Sequence, residues 1–275
     1  MISINTNYAG NFAAKAVRQS QGHMDQAMER LSTGKRINYA RDDAAGQSIA
    51  TRLTAEVQGL SMAARNASDG QSLLDTAEGA LQEVHTLLLR MRELAVQSSN
   101  DTVMASDRTQ MQAEVQSLED EIDRIGNNTT WGGKDLFVTT ATVKFQIGPD
   151  AADDISVTIK ALSATGATGS GGLGLTGDVT TQSGASSYIT KIDAAISIVS
   201  TNRGDLGAVS NRLGSTVVNL DQIKVNLMAS QGRIEDADFA AETGNLAKSQ
   251  ILQQAATAML AQANASKQTV LTLIQ

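Results

Sequence analysis

The chain has 275 residues, a formal net charge of −7 and no cysteine. An acidic chain without a basic patch argues against nucleic acid or an anionic membrane surface as partner. The absence of cysteine excludes disulfides, thiolate metal sites and cysteine nucleophiles. Apolar residues make up 41% of the chain but aromatics only 3%, which favours thin helical packing around Ala, Leu, Val and Ile over an aromatic globular core. The single proline, Pro149, leaves long uninterrupted helices possible on both sides. No stretch of about 18 apolar residues is present for a membrane-spanning helix. Met1 to Asn11 lacks the basic region and apolar core of a secretory signal peptide. By those signals alone the chain reads as cytoplasmic.

In chain order, residues 5–33 read as a first helix with a weak stripe of Tyr8, Phe12, Ala16, Met24, Ala27 or Met28, and Leu31, stopped by Gly34. Lys35 to Asp43 reads as an extended connector. Asp42 and Asp43 stand where an N-cap is favoured. From about Ala44 to Ser99 apolar or small residues recur at Ile49, Leu53, Val57, Leu60, Ala64 and Ala67. They resume at Leu74, Ala77, Leu81, Val84, Leu88, Met91 and Ala95. This alternation of threes and fours predicts one long helix with a narrow buried seam, on the order of 80 Å in length. Such a helix needs partners of similar length.

A second helix is expected over about 106–127, with Met111, Val115, Leu118, Ile122 and Ile125 in heptad steps, folded back on the first as an antiparallel hairpin. After Trp131 the period changes. Val143, Phe145 and Ile147, then Ile155, Val157 and Ile159, alternate apolar with polar and predict a β-hairpin at about 140–160. The Ser/Thr/Gly-rich stretch at about 163–187 reads as a loop that cannot bury much. Helical phase returns at about Ser187 and runs to about 230, interrupted by Arg203 and Ser210. A last helix is expected from near Glu235 to about 272, with Glu235, Asp236 and Asp238 in its first turn. The fold class expected is therefore mainly α: a long antiparallel helical bundle or coiled-coil rod with a small β-hairpin region.

No catalytic constellation emerges, and neither an enzyme nor a cofactor is expected. Gly172 to Gly177 matches G-x-G-x-x-G, but neither a periodic strand before it nor an amphipathic helix opening at it is present, so it reads as a plain glycine-rich loop. His23 and His85 each lack a nearby His or Cys, which argues against a metal site. Asp236 and Asp238 suit a helix start better than a calcium loop. Arg90, Arg92 and Glu93 look like an ion-paired solvated face.

The residues themselves carry a resemblance. Leu31 to Asn38 (LSTGKRIN), continued from Ala40 to Gln47 (ARDDAAGQ), resembles the N-terminal signature of bacterial flagellins. Leu88 to Gln97 (LLRMRELAVQ) is similar to the second N-terminal signature of that family. Arg233 to Phe239 (RIEDADF), Gln250 to Gln254 (QILQQ) and Leu260 to Asn264 (LAQAN) resemble its C-terminal signature. The resemblance covers roughly 1–137 and 187–275.

It implies a structural subunit that self-assembles into the helical flagellar filament used for motility, exported unfolded through the flagellar type III system. In this short form the variable outer domains are missing. The N- and C-terminal helices would pair, with 1–43 and 230–275 forming an inner-tube domain and 44–229 an outer-tube domain. The expected assembly seam comprises Leu31, Leu88, Leu246, Leu252, Met259, Leu260, Val270 and Ile274. The expected partners are other copies of the chain, the filament cap and hook-junction proteins, and an export chaperone at the C-terminal helix. The vertebrate innate receptor Toll-like receptor 5 would be contacted through Arg90, Leu94 and Glu114, although Leu89 departs from the polar residue usual there. The expected location is extracellular, in the bacterial flagellum. Two other readings remain open: a hook–filament junction protein, and a type III-exported coiled-coil translocator.

The physics is consistent with coupled folding. An antiparallel pair of Ala-rich terminal helices buries too little apolar surface to offset chain ordering, so neighbouring subunits must supply the other walls. A heterologous contact that does not close yields a helical filament.

Overall fold

The structure, a computed structural model, describes residues 6–166 and 172–272, with side chains to residue 266. Among these the elements run α1 (Tyr8–Thr33), α2 (Ala44–Ser98), α3 (Ala105–Asn128), β1 (Thr130–Trp131), β2 (Lys134–Asp135), β3 (Ala141–Gln146), β4 (Asp154–Ile159), α4 (Gln182–Glu235) and α5 (Phe239–Thr272). The chain divides into two compact units, Met1–Val57 with Val225–Gln275, and Gln58–Lys224. The first is called the terminal unit below and the second the central unit.

The central unit holds the main core, built on the heptad seam of α2. Ala67, Leu74, Ala77, Leu81, Val84, Leu88, Met91 and Ala95 are all buried. The seven-residue gap between Ala67 and Leu74 is filled by Gly70, which is also buried. A Cβ there would stand 3.0 Å from the Phe145 ring of β3 and 3.2 Å from Leu213 of α4, so the missing side chain lets both close on α2. The seam thus runs unbroken in threes and fours.

On α4 the buried face is Ala185, Tyr188, Ile192, Ala195, Val199, Leu206, Leu213 and Leu220. The two polar interruptions face α2: Arg203 Nη2 lies 2.8 Å from Glu78 Oε1, and Gln71 Nε2 donates to the Ser210 carbonyl at 3.3 Å. Helix α3 buries Val115, Glu119, Ile122 and Gly126.

Strands β3 and β4 pair antiparallel with Val143 opposite Val157 and Phe145 opposite Ile155. The alternation puts Phe145, Ile155, Val157 and Ile159 in the core. A second ladder, β1 with β2, joins Thr130–Trp131 to Lys134–Asp135. Gly132 and Gly133 close it with φ of +59° and +81°, the left-handed pair that a two-residue hairpin turn demands.

Three sequence expectations are corrected here. First, the stretch 163–187 does bury apolar surface: Ala164, Leu173, Leu175, Val179 and Ala185 are in the core. Side chains tether its backbone, since the Ala164 amide donates to Asp123 Oδ1 at 2.7 Å and the Val179 amide to Gln112 Oε1 at 2.8 Å. Widely spaced leucines in a glycine-rich strap carry no period for a sequence pattern to detect. Second, α4 opens at Gln182, where Thr181 Oγ1 caps the Gly184 amide at 3.1 Å.

Third, α4 continues to Glu235, and α5 opens only at Phe239. Asp238 is the N-cap of α5: its Oδ1 accepts from the Ala240 and Ala241 amides at 2.9 and 3.2 Å. Glu235 instead ends α4, where the helix dipole disfavours a carboxylate. Lys35 Nζ, 2.6 Å from Glu235 Oε1, offsets this and holds its carboxyl below the usual range.

In the terminal unit, Gly34 caps α1 with φ +72°. The connector then pairs with the turn between α4 and α5. The Arg36 amide donates to the Glu235 carbonyl at 2.7 Å and the Ala237 amide to the Gly34 carbonyl at 2.9 Å. Asp43 is the N-cap of α2, accepting from the Gly46 amide at 2.8 Å.

Candidate assembly and recognition surfaces

Helices α1 and α5 pair antiparallel through a seam of small residues. Gly10, Ala13, Ser20 and Ala27 are buried on α1, with Val17, Met24 and Leu31 half-buried between them. On α5, Glu242, Ser249 and Ala256 are buried, with Leu246, Gln253 and Leu260 half-buried. Both sets step by threes and fours, as a coiled coil requires.

Polar links run along the seam. Asn7 Nδ2 donates to Asn264 Oδ1 at 3.2 Å, Gln253 Nε2 donates to Gln21 Oε1, and Arg30 Nη1 lies 2.8 Å from Glu242 Oε1. Glu242 Oε2 also accepts from Asn245 at 3.2 Å. A groove of about 550 Å³ follows the pair, lined in part by His23, Arg30, Glu242 and Lys248.

The stripe expected on α1 is therefore only partly the buried one. Phe12 is 64% exposed, and Tyr8 and Met28 are exposed with it. On α5, Phe239, Ile251, Leu252 and Met259 are exposed. The physical reason is distance. Small residues at most of the fully buried positions let the two backbones approach closely, and the aromatic Tyr8 and Phe12 stay outside the seam. Of the expected seam, Leu31, Leu246 and Leu260 are half-buried in step with it, while Leu252 lines the groove beside the pair and Met259 is exposed. Val270 belongs to α5 with its side chain outside the described set, and Ile274 lies outside the described residues. Leu88 is elsewhere, fully buried in the core of the central unit.

On the central unit, Arg90 Nε and Nη2 both donate to Glu114 Oε1, at 3.0 and 2.8 Å, and Nη1 donates to Glu93 Oε2 at 3.1 Å. This exposed network ties α2 to α3, and Arg92 ties α2 to α4 through Asp193 at 2.7 Å. Leu94 does not join Arg90 and Glu114 at the surface. It is 3% exposed, because the buried arc of α2 widens there to include 91, 94, 95 and 98. Leu89 is exposed beside the network.

The remaining motifs have structural roles. Gly172 packs on Gly166, whose carbonyl a Cβ would strike, and Gly174 has φ +67°. The helix after this loop opens only at Gln182, so no helix N-terminus cradles a phosphate at the motif. His23 is exposed on α1 and His85 half-buried on α2. Among the described residues no group of three or more His, Asp or Glu could hold a metal ion.

Sequence reading missed the buried polar contact between α4 and α3 in which the Tyr188 hydroxyl donates to Glu119 Oε1. Burial raises the Glu119 carboxyl above its ordinary range, with the Tyr188 hydrogen bond opposing, and burial likewise raises the Tyr188 hydroxyl. A signal existed: Val115, Glu119, Ile122 and Gly126 form a heptad series, as do Ala185, Tyr188 and Ile192.

Comparison with known proteins accounts for this architecture. The family model of the bacterial flagellin N-terminal helical region matches residues 4–142, and that of the C-terminal helical region matches 189–274. A flagellin of Halalkalibacterium halodurans is 43% identical over 260 residues, covering 91% of each chain. A flagellin of Bacillus subtilis is 40% identical over 302 residues, covering 99% of each. The crystal structure of Bacillus cereus flagellin matches with a TM-score of 0.50 at 34% identity, over 57% of this chain and 88% of that one. A putative flagellar hook-associated protein from Vibrio parahaemolyticus shares the fold alone, with a TM-score of 0.59 at 15% identity over 71% of this chain and 100% of that one. With both terminal regions matched and relatives aligned along nearly the whole chain, the protein belongs to the bacterial flagellin family, the structural, non-enzymatic subunits of the extracellular flagellar filament.

Proposed function

We propose that subunits join through the outward faces of the terminal helix pair, with residues 1–43 and 230–275 serving as the inner-tube domain and 44–229 as the outer-tube domain. One observation carries this reading: the paired helices bury mainly small residues against each other and leave Tyr8, Phe12, Phe239, Ile251, Leu252 and Met259 exposed. Seven-residue spacing from Leu252 to Met259 forms an apolar edge that a neighbouring helix can cover. Each added subunit then buries surface that a free subunit cannot, so the filament is far more stable than its parts. Seeded growth observed by negative-stain microscopy tests this. Deleting residues 246–275 is expected to abolish filaments, and normal filaments from that variant would overturn the reading.

The same α5 edge suits an export chaperone before assembly, and the exposed terminal faces suit the cap and hook-junction proteins at the two ends of the filament. For Toll-like receptor 5, the Arg90–Glu114 network is the proposed contact, with Leu94 fixing the helix from beneath. Reporter cells should respond less to Arg90→Ala than to the unsubstituted protein. An equal response would place the contact elsewhere.

A further inference from the structure

We propose that Met28 and Met259 are oxidation-sensitive positions that gate assembly: a hydroperoxide converts their thioethers to sulfoxides and the modified subunit no longer adds to the filament. The proposal rests on the assignment of the terminal faces as subunit contacts. Met28 is 47% exposed and Met259 64% exposed, whereas Met91 is fully buried in the central core. Met28 and Met259 lie on the terminal pair, unlike the exposed Met62, Met104 and Met228 on α2, at the N-cap of α3 and on α4, and Met259 continues the apolar edge of α5 one heptad beyond Leu252.

In the reaction, a sulfur lone pair attacks one peroxide oxygen and the O–O bond breaks. The S–O bond forms, and the proton on the transferred oxygen passes to the departing hydroxide or alkoxide, which leaves as water or alcohol. Sulfur is oxidised by two electrons and the peroxide is reduced by two. A flexible apolar side chain becomes a polar one, which disrupts methionine-bearing interfaces. In the assembled filament the same sulfurs would be covered, so the device acts on unassembled subunits.

Hydrogen peroxide treatment of full-length subunits, mapped by peptide mass spectrometry, tests this. Met28 and Met259 should oxidise while Met91 does not, and the critical concentration for seeded growth should rise at least about tenfold. Treated Met28→Leu/Met259→Leu protein should still assemble, because leucine conserves volume and cannot be oxidised. Met62, Met104 and Met228 are also exposed, and a triple leucine variant at those positions should remain sensitive. A variant-free readout is the time course in the unsubstituted protein, where growth competence should be lost in step with sulfoxide at Met28 or Met259.

A double variant that stays sensitive, a triple variant that becomes resistant, or loss of growth tracking other methionines would each overturn the proposal. Oxidation of Met28 and Met259 at equal rates in subunits and filaments would defeat the underlying contact assignment. Protection in filaments combined with normal growth of oxidised subunits would defeat only the gating role.

Discussion

Leu252→Asp separates assembly from folding. Leu252 lines the groove beside the α1–α5 seam, is not one of the buried seam residues, and is 48% exposed in the subunit. Full burial of a leucine contributes about 1.5–3 kcal/mol, so roughly 1 kcal/mol remains to be gained when a neighbour covers the exposed half. Aspartate forfeits that gain and adds the cost of burying an unpaired charge, bringing the total to about 3–4 kcal/mol per subunit. At about 1.4 kcal/mol per tenfold, the critical concentration should rise by roughly two to three orders of magnitude. Every subunit repeats the contact, so the penalty recurs along the filament. The companion Leu252→Ala loses only the apolar part and should raise the critical concentration by about fivefold. The assay is sedimentation of seeded filaments across a concentration series, with circular dichroism of the subunit as the folding control. Leu252→Asp assembling within about threefold of the unsubstituted protein would refute the claim that this face is covered in the filament.

Other outcomes follow from the core and the termini. Leu88→Ala, at a fully buried position, should destabilise the full-length subunit by about 2–5 kcal/mol in urea unfolding, and a loss below about 1 kcal/mol would count against its place in the core. Glu119 has its carboxyl raised by burial, so the folded state holds this proton more tightly than the unfolded chain. Stability should therefore fall as pH rises from the ordinary glutamate range to the folded pKa, with the loss complete above it. Glu119→Gln should flatten that decline in urea midpoints measured over about pH 4–8, and an unchanged slope would assign the decline to other groups. Limited proteolysis of unassembled protein should trim both ends and leave a fragment of about 44–230, since the small-residue seam of the terminal pair buries little apolar surface. Full resistance of the termini in unassembled subunits would contradict coupled folding.

Where one helix face differed sharply from the others, the sequence alone determined the element and its orientation. The seam of α2 from Leu74 to Ala95, the α3 series from Met111 to Ile125, the β alternation at 143–147 and 155–159, and the Asp43 cap were all legible as periods or turn chemistry. The flagellin signatures at both ends were equally legible. Tertiary structure decided what periodicity leaves degenerate. Terminal helices rich in Ala, Gln and Ser present several faces of similar polarity, and only the close approach of α1 to α5 selects Gly10, Ala13, Ser20 and Ala27 over Tyr8 and Phe12. Gly70 reads as a gap until Phe145 and Leu213 are seen to fill its place. Leu94 shares a signature with Arg90 yet turns inward. Glu119 meets Tyr188 across 69 residues of chain, and the strap buries Ala164, Leu173, Leu175 and Val179, with the Ala164 and Val179 amides held by Asp123 and Gln112. These contacts depend on distances between residues far apart in the chain, which a local pattern does not encode.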